Sequence, residues 1–323
     1  MTNPPLLMTA DLMEMKAEQL DAEFEVHRYH NTSDREAMLA AVGDRIEAIA
    51  AGGHAIGIDA ALIERLPQLK IIGNFGVGYD TVDTAAAKAR GIIVTNTPEV
   101  LTEEVADTAL GLLITTVREL SQAEQYLRQG RWAAEGDYRL SPATLRDRSI
   151  GIVGLGRIGK AIARRCEAFG LPISYFGRNE QADVGYTYFS NIVDLAAHVD
   201  TMIVVTPGTA ETQNLINAEV LSALGERGIM INVARGSVVD EPALMAALRN
   251  RTIFAAGLDV MVNEPKINPE LMEIENLVLL PHVGSGSVYT RHAMGQLVVD
   301  NLLAYKAGTP PLTPVPETPF KSW

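Results

Sequence analysis

Ser149-Ile-Gly-Ile-Val-Gly154-Leu155-Gly156-Arg157-Ile158-Gly159 decides how the rest of the chain is read. A β-type run, Ser149–Val153, leads into Gly-x-Gly-x-x-Gly, and a helical pattern follows from Lys160 to Phe169. A dinucleotide-binding loop needs that strand–turn–helix context. Gly154 permits the tight turn, Gly156 lets the backbone approach a pyrophosphate, and Gly159 lets the helix pack against the strand. The first helical turn, at Arg157 and Ile158, offers N–H groups and the positive end of the helix dipole to the phosphates.

Outward from this stretch, short apolar runs alternate with longer helical patterns, the signature of βαβ units and parallel sheets. Strands are predicted at Leu6–Thr9, Ala55–Ile58, Ile71–Asn74 and Ile92–Thr95, then at Ser149–Val153, Ile173–Phe176, Met202–Val205, Ile229–Val233, Ala255–Leu258 and Leu277–Leu280. Helical patterns include Asp34–Ala51, Asp240–Asn250 and a long one from Glu103 to Gln129. Its first part, Val105–Val117, is apolar on nearly every face, which places it in a core or against a partner chain. The tail from Thr309 carries Pro310, Pro311, Pro314, Pro316 and Pro319 and reads as an extended arm.

The 323 residues, 47% of them hydrophobic, suffice for two domains with real cores. A net charge of −13 argues against nucleic acid and anionic membranes as partners. The single cysteine, Cys166, excludes an intramolecular disulfide, reads as a small buried hydrophobe and fits a reducing, cytoplasmic compartment. Met1–Ala10 does not have the pattern of a signal peptide, and no apolar run is long enough to span a membrane.

The strand after the glycine loop selects the dinucleotide. An acid at its end would bind the adenosine ribose hydroxyls and repel a 2′-phosphate. Here Ile173–Phe176 ends in Gly177-Arg178-Asn179, with no acid and with a cation able to pair a phosphate bidentately. Arg178 on its own reads as a surface residue; together with the missing acid it favours NADP(H), with NAD(H) the other possibility.

Three polar groups follow apolar strands further on: Arg235 after Ile229–Val233, Glu264 in the loop after Ala255–Leu258, and His282 after Leu277–Leu280. Each alone reads equally as a capping, solvated or structural residue. Together they supply what hydride transfer to a keto acid needs besides the cofactor: a cation for carboxylate and carbonyl, a proton donor, and a carboxylate that keeps that donor charged.

Gly154-Leu-Gly-Arg-Ile-Gly159, Asn232-Val-Ala-Arg-Gly236, Leu258-Asp-Val-Met-Val-Asn-Glu-Pro265 and Pro281-His-Val-Gly-Ser285 resemble, in order, the motifs of the D-2-hydroxyacid dehydrogenases. Asn74-Phe-Gly-Val-Gly-Tyr-Asp80 and Asn96-Thr-Pro98 resemble that family's N-terminal motifs. The glyoxylate/hydroxypyruvate reductases are the subgroup the chain is most similar to. The resemblance implies an α/β fold of two Rossmann-like domains with parallel sheets: a flavodoxin-like substrate domain (1–98 and 287–323, including a final helix near Val288–Lys306) and a doubly wound nucleotide domain (99–286). It implies that His282 is the proton donor, that Glu264 holds it protonated, and that Arg235 binds the substrate carboxylate and carbonyl. Val77 and Gly78 would offer N–H groups to that carboxylate, and Asp259 would lie near the nicotinamide carboxamide. Thr206, Pro207, Thr212, Val233, Ala234 and Gly284, with Arg235 and His282, would line the cofactor crevice. No metal is implied, and the helix near 103–129 would form a homodimer. Met261 departs from the aromatic common in the family, and Gly177 from its usual acid. A bulkier 2-keto acid or phosphite as substrate, or a non-catalytic NAD(H)-sensing corepressor, are the competing readings.

Overall fold

The computed structural model describes residues 3–52 and 56–322. The chain divides into two compact units, Met1–Leu101 with Ser287–Trp323, and Thr102–Gly286.

In the first unit, β1 (Pro5–Met8), β2 (Glu25–Arg28), β3 (Ala48–Gly52), β4 (Ile71–Phe75) and β5 (Ile93–Thr95) form a parallel sheet ordered β2-β1-β3-β4-β5. Strand side chains alternate between the two faces. Leu7, Ile49, Ile72 and Val94 bury one face with Leu39, Leu62 and Ile63, while Leu6, Met8, Ala48 and Ile71 bury the other with Leu20, Val298 and Leu302. The covering helices are α1 (Glu14–Glu23), α2 (Arg35–Val42), α3 (Ala60–Glu64), α4 (Thr84–Ala89) and the chain's last helix, Val288–Lys306. Asp34, Asp59 and Asp83 start α2, α3 and α4 by accepting the N–H of Ala37, Leu62 and Ala86. After the last helix the chain returns along β5: Pro314 bridges Thr95 in antiparallel sense, and Val315 N–H donates to the Val94 carbonyl at 2.9 Å.

The structure corrects several sequence expectations here. The helix expected over Asp34–Ala51 ends at Val42, and Ala48–Gly52 is a strand buried at every position. Its alanines favour a helix intrinsically, but pairing between β1 and β4 on a sheet covered on both faces outweighs that preference. The strand expected over Ala55–Ile58 is reduced to a single bridge from Ile58 to Val82, and Ala55 lies outside the described residues. Strand β2, exposed at both ends, carries no apolar run and was not expected.

The second unit begins with α5 (Thr102–Arg118), α6 (Leu120–Arg128) and α7 (Arg131–Glu135). The single helix expected over 103–129 breaks at Glu119, whose φ of 53° lies in the left-handed region. One face of α5 is buried through Val105, Ala109, Leu112, Leu113, Thr116 and Val117, while Leu110 and Ile114 are only half-buried and Gly111 is exposed. Strands β6 (Ile150–Val153), β7 (Ile173–Phe176), β8 (Thr187–Phe189), β9 (Thr201–Val204), β10 (Ile229–Asn232), β11 (Ala255–Leu258) and β12 (Leu277–Leu279) form a parallel sheet ordered β12-β11-β10-β9-β6-β7-β8. The remaining helices are α8 (Arg157–Ala168), α9 (Ile192–His198), α10 (Ala218–Leu224), α11 (Glu241–Arg249) and, in the first unit, α12 (Val288–Lys306). Gly257 in β11 lets α5 approach: a Cβ there would stand 2.6 Å from Thr116 Oγ1 and 2.8 Å from Leu112 Cγ. The direction of winding reverses between β6 and β9, and such a switch point opens a crevice at the carboxyl ends of the strands. No helix of the described residues is long and apolar enough to cross a membrane.

Candidate active site

The three glycines between β6 and α8 each do something different. Gly154 has φ 100°, and a Cβ on it would stand 2.9 Å from the Thr206 backbone at the end of β9. A Cβ on Gly159 would stand 2.2 Å from the Gly154 carbonyl oxygen, so helix and turn touch backbone to backbone. At Gly156, the N-cap of α8, nothing lies within 4 Å of a Cβ position and the residue is exposed. Contact is therefore closed behind the turn and open in front of it, beside the first turn of α8 at Arg157 and Ile158. A dinucleotide pyrophosphate fits such a loop.

At the end of β7, Gly177 has only Asn179 O, at 4.0 Å, near its Cβ position, and Arg178 and Asn179 are exposed. Gln181 ties this segment to the glycine loop by donating its side-chain N–H to the Leu155 carbonyl at 2.8 Å. No carboxylate stands at 177–179. In the loop after β9, Thr212 Oγ1 donates to the Pro207 carbonyl at 2.7 Å and accepts the Thr209 N–H at 2.8 Å, which holds Thr206–Thr212 in a compact turn.

The strand-end polar groups follow the neighbouring strands β10, β11 and β12. Asn232, 1% exposed, ends β10; its Oδ1 accepts the Ala234 N–H at 3.0 Å and its Nδ2 donates to the Arg235 carbonyl at 3.0 Å. That side-chain bridge shapes the turn carrying Val233, Ala234 and Arg235. Gly208 makes room for Arg235, since a Cβ there would stand 2.9 Å from Arg235 Cγ.

After β12 the chain turns sharply. His282 has φ 53°, and its N–H donates to the Asp259 carbonyl at 2.8 Å. The imidazole Nδ1 lies 2.6 Å from Glu264 Oε2, while Glu264 Oε1 accepts the Met261 N–H at 2.7 Å. Both oxygens of this carboxylate are thus engaged, and Nδ1 has its acceptor. The Nδ1 contact fixes the orientation of the ring.

Asp259, 2% exposed, carries a role that the sequence reading did not anticipate. Its Oδ1 accepts the Val283 N–H at 2.7 Å and its Oδ2 the Gly284 N–H at 2.8 Å. Burial pushes its pKa up, while those two amides and the nearby imidazole pull it down. Gly284 has no side chain because a Cβ would stand 2.8 Å from Asp259 Oδ2. An aspartate one residue past a buried strand was the available signal. Cys166 is fully buried and its thiol is pushed up to about 12 by burial, which makes it unreactive.

Val77 and Gly78 lie in the first unit, on the loop after β4. The Gly76 carbonyl accepts the Thr97 N–H at 2.9 Å, and the Val77 carbonyl accepts Asn96 Nδ2 at 2.9 Å. The Gly78 carbonyl accepts Asn74 Nδ2 at 3.0 Å. Among the described residues, no three His, Cys, Asp or Glu side chains gather in a way that could hold a metal ion.

Comparison with known proteins finds relatives over nearly the whole chain. The sequence profile of the D-isomer specific 2-hydroxyacid dehydrogenase NAD binding domain matches residues 110–284. A hydroxyphenylpyruvate reductase of Plectranthus scutellarioides is 44% identical over 310 residues, covering 96% of this chain and 98% of the relative. A glyoxylate/hydroxypyruvate reductase of Arabidopsis thaliana is 43% identical over the same share of this chain and 98% of its own. Among solved structures, an NADPH-dependent glyoxylate/hydroxypyruvate reductase of Sinorhizobium meliloti, crystallised with NADP and malonate, is 51% identical. It superposes with a TM-score of 0.94, covering 100% of this chain and 99% of that one.

Proposed function

The chain belongs to the D-isomer specific 2-hydroxyacid dehydrogenase family, and on that premise we propose that it reduces a small 2-keto acid, of glyoxylate or hydroxypyruvate type, to the D-2-hydroxy acid with NADPH. The contact of His282 Nδ1 with Glu264 Oε2, 2.6 Å, carries this reading.

NADPH, when bound, supplies the hydride to the keto carbon. The residues of the chain manage charge and protons around that transfer. Gly154, Gly156 and Gly159 with the first turn of α8 would hold the pyrophosphate, and Arg178 would pair with the 2′-phosphate, which a carboxylate at that place would repel. Arg235 takes the substrate carboxylate and polarises its carbonyl; within the first unit, the N–H groups of Val77 and Gly78 are read as donors to a carboxylate. His282 Nε2 delivers a proton to the developing alkoxide oxygen, which ends the reaction as the alcohol. Glu264 fixes the ring through Nδ1–H, and its negative charge offsets that of the imidazolium. In the oxidative direction the same nitrogen accepts the proton. A dinucleotide sensor needs neither a proton donor nor a carboxylate to orient it. The Plectranthus relative supports a second substrate class, aryl 2-keto acids.

We also read the half-buried face of α5, with Leu110 and Ile114, and the exposed Leu120 (45%) and Leu127 (55%) of α6, as the surface of a homodimer. Light scattering then gives twice the 34.9 kDa chain mass; a single-chain mass at micromolar concentration contradicts it.

His282→Ala is expected to lower kcat for glyoxylate reduction by about 10²–10⁴, with NADPH still bound. A near-normal kcat for the variant removes His282 from this role. Gly177 has space for a side chain and no positive φ, so Gly177→Asp combined with Arg178→Ala is expected to fold. The ratio of kcat/KM for NADPH to that for NADH then falls by about tenfold or more, the scale of one lost charge-assisted contact. An unchanged ratio overturns the cofactor assignment.

A further inference from the structure

In the trans peptides of the loop after β4, each C=O points opposite to the N–H of the next residue. The Gly76 carbonyl is held by Thr97 N–H, so the Val77 N–H points away from Thr97. The Val77 carbonyl is held by Asn96 Nδ2, so the Gly78 N–H points away from Asn96. Thr97 Oγ1 also accepts the Gly76 N–H at 3.1 Å. Among the described residues, the N–H groups of Val77 and Gly78 donate to no acceptor. Asn96 and Thr97 therefore aim the two N–H groups that the functional reading gives to the substrate carboxylate.

What holds Asn96 comes from the other end of the chain. Its backbone N–H donates to the Thr313 carbonyl at 3.2 Å, and Thr313 Oγ1 donates to the Asn96 carbonyl at 2.7 Å. Thr313 is held in turn by Asn301 of α12, fully buried: Asn301 Oδ1 accepts the Thr313 N–H at 3.1 Å, and its Nδ2 donates to Thr313 Oγ1 at 2.9 Å and to the Leu297 carbonyl at 2.7 Å. The arm is anchored past this point. Val315, 2% exposed, enters the core beside Val94, and Thr318 Oγ1 accepts the Val94 N–H at 2.9 Å. Tyr79, one residue past Gly78, donates its hydroxyl to Glu317 Oε2 at 3.0 Å. The arm thus touches both sides of the loop.

We propose that the C-terminal arm is a positioning element for substrate binding, in which Thr313, set by Asn301, holds Asn96 and through it the direction of the N–H groups that receive the 2-keto acid carboxylate. This rests on the reading of Val77 and Gly78 as carboxylate donors and adds Thr313, Asn301 and Asn96 as positioning residues. An edge strand can be covered by any extended segment. The paired bonds of Thr313 to Asn96, one in each direction, tie this segment to the loop in one register.

Thr313→Val keeps the shape of the side chain and removes its hydroxyl. The full-length protein is assayed for glyoxylate KM and kcat, for the inhibition constant of oxalate, and for NADPH affinity by fluorescence. The expected result is that glyoxylate KM and the oxalate constant rise together by about 3- to 10-fold, the scale of one neutral hydrogen bond. NADPH affinity stays within about twofold, and Thr313→Ser restores both constants. An arm that only stabilises the fold would lower Tm and the active fraction and leave both constants unchanged, which overturns the proposal. If Thr313→Val does not fold, Thr313→Ala carries the same test. If Asn96→Ala raises both constants while Thr313→Val does not, the loop binds the carboxylate and the arm has no part in aiming it. If neither variant moves them in an active protein, the assignment of Val77 and Gly78 falls as well. Absence of turnover by the unaltered protein with any 2-keto acid is visible before any variant is made, and it defeats the functional reading together with this one.

Discussion

A carboxylate oxygen of Glu264 lies 2.6 Å from Nδ1 of His282, and much of the second unit is arranged so that this contact holds. The two residues come from different loops, one after β11 and one after β12. Both loops are pinned through Asp259, whose backbone carbonyl takes the His282 N–H and whose buried side chain takes the next two. Glu264 is pinned by the Met261 N–H, and the same loop is held again by Glu241, which accepts the Val262 N–H at 3.2 Å. A backbone that holds His282 in the left-handed region needs such over-determination, because a non-glycine residue there is strained.

Parallel strands explain why these groups meet. Consecutive strands of the second sheet all deliver their carboxyl ends to one edge, so residues far apart in sequence become neighbours there. Asn232, Asp259 and the glycines at 208, 236 and 284 serve that edge without being its chemistry. A Cβ on Gly236 would stand 2.1 Å from the Met261 backbone, so the Arg235 turn and the Glu264 loop pack backbone to backbone.

The glycine loop and the strand-end residues were legible in the sequence because their motifs combine a periodic apolar run with a polar residue just past it. The second sheet was legible for the same reason, except for β8, which is short and only half-buried. Elements set by tertiary context were not. Ala48–Gly52 carries helix-forming residues in a strand, and the break at Glu119 lacks a glycine or proline to announce it. Asp259 was invisible as a positioning residue because its partners are backbone groups, which leave no mark on residue type, and Thr313 because its partners, the backbone of Asn96 and the side chain of Asn301, are set by tertiary packing. The proline-rich tail read as an extended arm; its pairing with β5 could not be read from composition.

The central claim is that Glu264 acts through its charge on the proton held by His282. Glu264→Gln tests it most directly, since the amide oxygen can still accept the Nδ1–H but carries no negative charge. Without that charge the ring keeps its orientation but loses the carboxylate that offsets a positive charge on it. The measurement is kcat for glyoxylate reduction in the two proteins, with NADPH affinity as the control. The account predicts that kcat of the variant falls by about tenfold or more, the scale of one lost charge-assisted contact, while NADPH affinity is unchanged. A near-normal kcat would contradict it.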